Sequence, residues 1–461
     1  MTAGIIVLGY VLFKRREFFS AIMPHMPKTY FIKTYGCQMN VNDSEALAGI
    51  LESLGYSEAK TPEEADVVLV NTCTVRGSAE NKAVGYIGRM KKFKSHGPSP
   101  KTQVPSPKII GVCGCLAQQE KKALLTKYPF IDFILGPASL HELKEVLGER
   151  YEVNGTQIET CDPEMRNLPQ KRKPSTVAYV SIMYGCDNFC SFCIVPYVRG
   201  REVSRPKEDI LKDINALDKD IFKEVVLLGQ NVNSYKGLGT RDQGLGGLLR
   251  EVHKMNGIER IKFLTSHPRD MSDDIIQAVR DLPKVCEYFH LPIQSGDDDV
   301  LKAMNRGYTL HYYMDMVNRI RKAVPDAAIT SDIIVGFPGE TDKQFENTLK
   351  CIKDIGFDTV NTMAYSDRPG TASSKMEGKI PEKVKKERLQ EVMAVVEATA
   401  LKKNQGLEGK TVEILVDEPN LGRTRTNKIV KFKGNSSLVG KLVDVKIKKA
   451  KSWVVEGQLM S

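Results

Sequence analysis

Short, almost wholly apolar segments alternate with helix-patterned ones along most of this chain, and that alternation limits its folds more than any other feature. Between residues 28 and 149 the strand-like runs fall at 29–35, 66–71, 108–113 and 130–136. Helix-patterned stretches occupy 44–54, 78–93, 117–127 and 140–147. Apolar strands without an alternating polar face belong in a parallel sheet covered on both sides. The expectation is an α/β fold beginning with a doubly wound parallel sheet.

A second alternation follows the aperiodic stretch 150–176, read as a linker. Its strands are expected at 177–183, 224–230, 260–266, 288–294, 328–336 and 359–365. Helices separate them at 207–217, 245–254, 272–280, 297–304, 310–323 and 340–355. Six such units fit a partial (β/α)6 barrel, since a closed eight-fold barrel needs more chain. A helix at 383–404 leads to short strands at 411–416, 428–432, 442–447 and 453–456, the pattern of a small β-barrel. With 461 residues and roughly 150 per domain, about three domains are expected. Their bounds are 28–149, 177–395 and 396–461, with 1–27 a disordered extension and Met23 or Met26 a plausible start.

Residues 4–13 are apolar, but a membrane span needs about 20 residues, and the charges Lys14, Arg15, Arg16 and Glu17 follow the run instead of preceding it. The stretch 95–107, rich in proline and serine, reads as a surface loop. The net charge is +10. Residues 402–461 hold 13 Lys and Arg against 6 Asp and Glu, a net of +7. Lys446, Lys448, Lys449 and Lys451 lie beside the single tryptophan, Trp453. A basic β-barrel with an aromatic suits RNA, and a solvated lysine surface is the plainer reading.

Ten cysteines in a chain able to bury a core without disulfides suggest reduced, metal-ligating thiols. Cys186-x3-Cys190-x2-Cys193 follows the first strand of the second domain. Three thiolates so close can wrap one face of a 4Fe–4S cluster and leave one iron open. A structural zinc would need a fourth ligand, and none stands nearby. Cys37, Cys73 and Cys115 match no local motif, yet each follows a strand at its carboxyl end. Such ends converge on one crevice in a doubly wound sheet, and Gly36 and Gly114 would allow close backbone approach there. Cys113, Cys161, Cys286 and Cys351 read as structural.

The second domain's strand ends are polar or glycine-rich: Gly229-Gln230-Asn231, Thr265-Ser266-His267, Gln294-Ser295-Gly296, and Gly336 with Glu340. Asp332 lies on the strand that leads to Gly336. Singly these are helix caps or turns; as a ring above the cysteines they form a cofactor pocket. Arg199, Arg201 and Arg205 could hold phosphates or a carboxylate, or form a surface ion-pair network.

Cys186-x3-Cys190-x2-Cys193 in a (β/α)6 domain resembles the radical S-adenosylmethionine enzymes. The domain carrying Cys37, Cys73 and Cys115, together with a TRAM-like tail, makes the chain similar to their methylthiotransferase branch. Thr34-Tyr-Gly-Cys-Gln-Met-Asn-Val-Asn-Asp-Ser-Glu45 and Cys193-Ile-Val-Pro-Tyr-Val-Arg-Gly-Arg-Glu-Val-Ser-Arg205 resemble the members that act on isopentenyladenosine in tRNA. The resemblance spans about residues 28–458. It implies two 4Fe–4S clusters. That on Cys186, Cys190 and Cys193 would bind and reductively cleave S-adenosylmethionine, and the resulting radical would abstract hydrogen from carbon 2 of adenine. That on Cys37, Cys73 and Cys115 would carry the sulfur, methylated by a second S-adenosylmethionine. Gln230, Asn231, Ser266, Gln294, Ser295, Asp332 and Gly336 are the candidate cofactor contacts. The implied partners are the anticodon stem-loop of a tRNA carrying isopentenyladenosine at position 37 and an electron donor such as a flavodoxin or ferredoxin, in the cytoplasm. The alternatives are a methylthiotransferase for threonylcarbamoyl-adenosine or a ribosomal protein, and a non-catalytic Fe–S RNA-binding protein.

Overall fold

The computed structural model describes residues 28–75, 77–94, 108–148, 156–158, 167–237 and 244–460. The N-terminal extension, the 95–107 stretch and Cys161 lie outside the described residues.

Six parallel strands form the first domain: β1 (Thr29–Thr34), β2 (Ser57–Glu58), β3 (Val67–Thr72), β4 (Ile109–Gly114), β5 (Phe133–Leu135) and β6 (Thr156–Ile158), in the order β2-β1-β3-β4-β5-β6. β3 reads Val-Val-Leu-Val-Asn-Thr and is buried at every position, as a two-side-covered strand must be. Leu47 and Leu51 of helix Gln38–Ser53 pack with Tyr30, Leu69 and Leu143 on one face. Ile87, Ala117 and Leu124 pack on Val70 and Val112 on the other. Each fully buried leucine contributes about 1.5–3 kcal/mol. The expected doubly wound sheet is present. Its winding reverses between β1 and β3, so the crevice opens at their carboxyl ends. β6 falls inside the stretch read as a linker, because three residues carry no detectable period.

The second domain holds all six expected strands. These are β7 (Val177–Ser181), β10 (Glu224–Leu228), β11 (Arg260–Phe263), β12 (Tyr288–His290), β13 (Ala328–Val335) and β14 (Thr359–Ala364). They run parallel as β11-β10-β7 and β12-β13-β14, joined through the bridge between Ile261 and Val285. A two-residue antiparallel pair, β8 (Met183–Tyr184) with β9 (Val203–Ser204), closes the excursion that carries the triple-cysteine loop. Val225, Leu227, Ile261 and Ile329 face a helical coat that includes Leu248, Ile276 and Ile320. Val226 and Leu228, turned the other way, meet Met39 and Cys37 of the first domain. The first domain therefore packs over the barrel's interior.

After helix Glu382–Gln405, the tail closes as β15 (Thr411–Glu418), β16 (Leu421–Thr424), β17 (Ile429–Lys431), β19 (Val455–Leu459) and β18 (Leu442–Ala450), in that spatial order. The sequence pattern shows four of these; β16, Leu-Gly-Arg-Thr, lacks a strand signature. Arg260, fully buried, donates to Arg423 O at 2.7 Å and to Glu413 at 2.8 Å. Arg425 pairs with Glu287, and Lys428 with Asp358 at 2.8 Å. Arg260, Glu287 and Asp358 stand where strands begin, so this small barrel docks at the end opposite the strand termini that follow. Among the described residues no helix is long and apolar enough to cross a membrane.

Candidate functional site

Cys37, Cys73 and Cys115 converge. Cys37 caps helix Gln38–Ser53, and Asn40 accepts from the Cys37 amide at 3.2 Å. The Asn40 amide donates to Asn71 Oδ1 at 3.2 Å and to Thr72 O at 3.1 Å, pinning the first loop to the end of β3. A Cβ on Gly36 would stand 2.8 Å from Cys73 Cβ, and one on Gly114 2.4 Å from Thr72 O. Gly114 also sits at φ +93°, a conformation that favours glycine. Glycine is thus what lets the loops close. The Cys37 thiol is held below the usual thiol range, first by its neighbour Cys73 and further by the Arg199 cation. The same pairing pushes Cys73 above the usual thiol range, and burial pushes Cys115 up. The Val75 amide donates to Cys73 Sγ at 3.3 Å. Cys113 is buried in the core beside Leu69 and Leu135, as expected of a small hydrophobe.

The triple-cysteine loop is held from two sides. Ser191 donates to Ala303 O at 2.8 Å, and the Ser373 amide donates to Ser191 O at 2.8 Å. Burial pushes Cys186 up to about 11 and Cys193 up to about 12. Arg306 is 4% exposed and donates to Cys190 Sγ at 3.2 Å, and it has no carboxylate partner among the described residues. Asn188 donates to Cys186 Sγ at 3.6 Å. Buried thiols resist ionisation alone, and a bound cationic metal reverses that. The other donors of Arg306 reach Pro292 O at 2.6 Å and Tyr308 Oη at 3.1 Å, so its charge favours an anionic group at the sulfur it touches. Both features fit a thiolate-bound cluster. Among the described residues no three His, Cys, Asp or Glu side chains could hold a single metal ion.

The strand-end residues divide by how their polar atoms are used. Gln230 Oε1, Ser266 Oγ and Gln294 Oε1 are buried without a hydrogen-bond partner among the described residues, and so is His267 Nε2. An orphaned buried polar atom costs about 1–3 kcal/mol, so four at the strand ends mark a place for a polar ligand. Gln294 at φ 76° and Thr265 at φ 70° add left-handed strain. Asn231 instead donates to Asp270 at 2.7 Å and accepts from the His267 amide at 3.0 Å. Ser295 lies within 3.3 Å of Thr348 Oγ1. Asp332 accepts from Asn361 at 2.8 Å and stands 3.5 Å from His290 Nε2. The Gly336 amide donates to Glu340 at 2.7 Å.

The three arginines after the loop all find carboxylates of the chain itself. Arg199 pairs with Asp43 at 2.6 Å, Arg201 with Asp187 at 2.8 Å and Arg205 with Asp213 at 2.8 Å. Sequence reasoning missed Asp43, Asn40, Asn188 and Arg306, none of which carries a spacing signal. Cys286 and Cys351 are buried, in keeping with structural roles.

Three family models match the chain: the Uncharacterized protein family UPF0004 over residues 29–136, the Radical SAM superfamily over 180–352 and the TRAM domain over 405–460. A tRNA-2-methylthio-N(6)-dimethylallyladenosine synthase of Carboxydothermus hydrogenoformans is 47% identical over 446 residues, covering 94% of this chain and 99% of that protein. The synthase of that name from Caldicellulosiruptor saccharolyticus is 47% identical over 444 residues, covering 94% and 93%. That of Clostridium perfringens is 44% identical over 447 residues, covering 94% and 98%. Among solved structures, the radical S-adenosylmethionine methyltransferase TsrM from Kitasatospora setae aligns with a TM-score of 0.53 at 12% identity, covering 76% of this chain and 74% of that one. That likeness concerns the fold alone.

Proposed function

The chain belongs to the family of tRNA-2-methylthio-N(6)-dimethylallyladenosine synthases, and from that premise we propose that it methylthiolates carbon 2 of isopentenyladenosine at position 37 of tRNA by radical S-adenosylmethionine chemistry. What supports this reading is that Cys115 of the first domain packs on Ile194, the residue after Cys193 of the second. Cys186, Cys190 and Cys193 would hold one 4Fe–4S cluster, and Cys37, Cys73 and Cys115 the other. When bound, the clusters supply the electron that cleaves S-adenosylmethionine and the sulfur that is transferred.

The chain's own residues do the rest. Arg306 and Asn188 donate to Cys190 and Cys186, which orients the thiolates and stabilises their charge. Gln230, Ser266, His267 and Gln294 offer unspent polar atoms to the cofactor. Asn231, Ser295, Asp332 and Gly336 shape the strand ends that present them. Met39, Val226 and Leu228 pack an apolar seam beside Cys37 that keeps water from the reacting atoms. The target base would leave its stack to enter that seam.

The small basic barrel grips the tRNA backbone in this reading. It docks at the amino ends of the strands, while the cysteines stand at the carboxyl ends. Strands of three to eight residues separate the two by on the order of 10–25 Å, a span suited to a stem-loop rather than a mononucleotide. A one-electron donor of the flavodoxin or ferredoxin class completes the system, which would work in the cytoplasm.

Mass spectrometry of tRNA nucleosides from a strain lacking this gene tests the proposal. Methylthio-isopentenyladenosine should vanish and isopentenyladenosine accumulate, with recovery on complementation. Unchanged methylthio-isopentenyladenosine would overturn it, and loss of methylthio-threonylcarbamoyl-adenosine instead would favour the sister substrate.

A further inference from the structure

We propose that Arg199 is the positioning residue of the auxiliary centre: its guanidinium, shared between Asp43 and the Cys37, Cys73 and Cys115 trio, balances the charge gathered there and ties that centre to the triple-cysteine loop. This rests on the reading above, in which the trio holds a cluster.

Three observations carry it. Arg199 ends the helical turn Val195–Arg199, which leaves directly from Cys193. Ile194 and Val198 of that segment pack on Cys115, so the turn is a strut between the two cysteine sets. The guanidinium donates to Asp43 Oδ2 at 2.6 Å, both side chains being 4% exposed, and Arg199 stands one residue from Val198, which packs on Cys115. Asp43 comes from helix Gln38–Ser53, which Cys37 caps. One guanidinium therefore meets a carboxylate from the other domain, beside the auxiliary cysteines, in a dry seam where charge interactions are strong.

Cluster potentials follow net charge and hydrogen bonds to sulfur. A cation beside the centre favours its reduced, more negative state and raises its potential; the Asp43 carboxylate opposes this. Removing Arg199 should lower the potential and neutralising Asp43 should raise it. A strut without an electrostatic role would move neither, or both the same way.

The test uses the full chain, reconstituted anaerobically, with Cys186, Cys190 and Cys193 replaced by alanine so that one centre titrates. Potentiometric titration followed by electron paramagnetic resonance should show a lower potential in Arg199→Gln, a higher one in Asp43→Asn, and Arg199→Lys between Arg199→Gln and the background. Shifts in one direction, or none, would overturn the proposal. If Arg199→Gln assembles no centre, Asp43→Asn decides: a raised potential supports the proposal and an unmoved one overturns it. Absence of iron from the background protein would remove the auxiliary-centre reading itself, and the proposal with it. Iron present with unmoved potentials removes the proposal alone.

Discussion

Replacing His267 with asparagine should stabilise the chain in acid and not at neutral pH. His267 is 6% exposed, and burial, aided by the nearby Arg306 and Arg269 cations, lowers it to about 2. In the unfolded chain a histidine titrates near 6.5. Below that pH the unfolded state takes up a proton that the folded state refuses, so stability falls as pH falls. The penalty is about 0.1 kcal/mol at pH 7.5 and about 2 kcal/mol at pH 5.0. Asparagine carries no such penalty, and its carbonyl can still accept from the Arg269 amide, as His267 Nδ1 does at 3.3 Å. Loss of the edge contact with Tyr308, whose ring centroid lies 5.7 Å away, is a cost independent of pH. The stability of the variant relative to the parent should therefore move in its favour by about 2 kcal/mol between pH 7.5 and 5.0. For a domain of this size that is about 4–8 °C in Tm. Scanning calorimetry of both proteins at the two pH values measures it. An offset that stays constant with pH would refute the reasoning.

Arg260→Met should loosen the C-terminal barrel by about 2–4 kcal/mol, since two carbonyls and Glu413 lose a charged donor; faster amide exchange across residues 411–424, with the first domain unchanged, would register it. Gly114→Ala should disrupt the auxiliary loop, because its Cβ would meet Thr72 O at 2.4 Å, and iron per chain should fall by about half while the triple-cysteine site stays loaded. Replacing Lys446, Lys448, Lys449 and Lys451 with alanine should weaken tRNA binding and flatten its dependence on salt, read by titration at two ionic strengths; an unchanged slope would mean these lysines merely face solvent.

Much of this arrangement is legible in the sequence for a definite reason. Cys37, Cys73 and Cys115 each follow an apolar run, and the rule that ligands gather at strand carboxyl ends places them together without any local motif. The same rule selects Gln230, Ser266 and Gln294, whose buried polar atoms are unspent. It also selects Asn231 and Ser295, and there it meets a limit: strand-end position does not show that Asp270 and Thr348 already satisfy them. Asp43 and Arg306 are invisible for a related reason. Asp43 lies 156 positions from Arg199 and Arg306 lies 116 from Cys190, so their importance arises from contacts that no spacing encodes. Arg260 looks like the polar start of a strand until the C-terminal barrel covers it. β16 escapes notice because pairing with β15 and β17, not propensity, makes it a strand.

Each of the two cysteine trios should hold its own cluster. Iron and acid-labile sulfide, measured per chain after anaerobic reconstitution, test this most directly. The parent should hold about eight of each, and replacing Cys37, Cys73 and Cys115 with alanine should leave about four, as should replacing Cys186, Cys190 and Cys193. A parent with about four, or loss of all iron when either trio is removed, would contradict two independent centres.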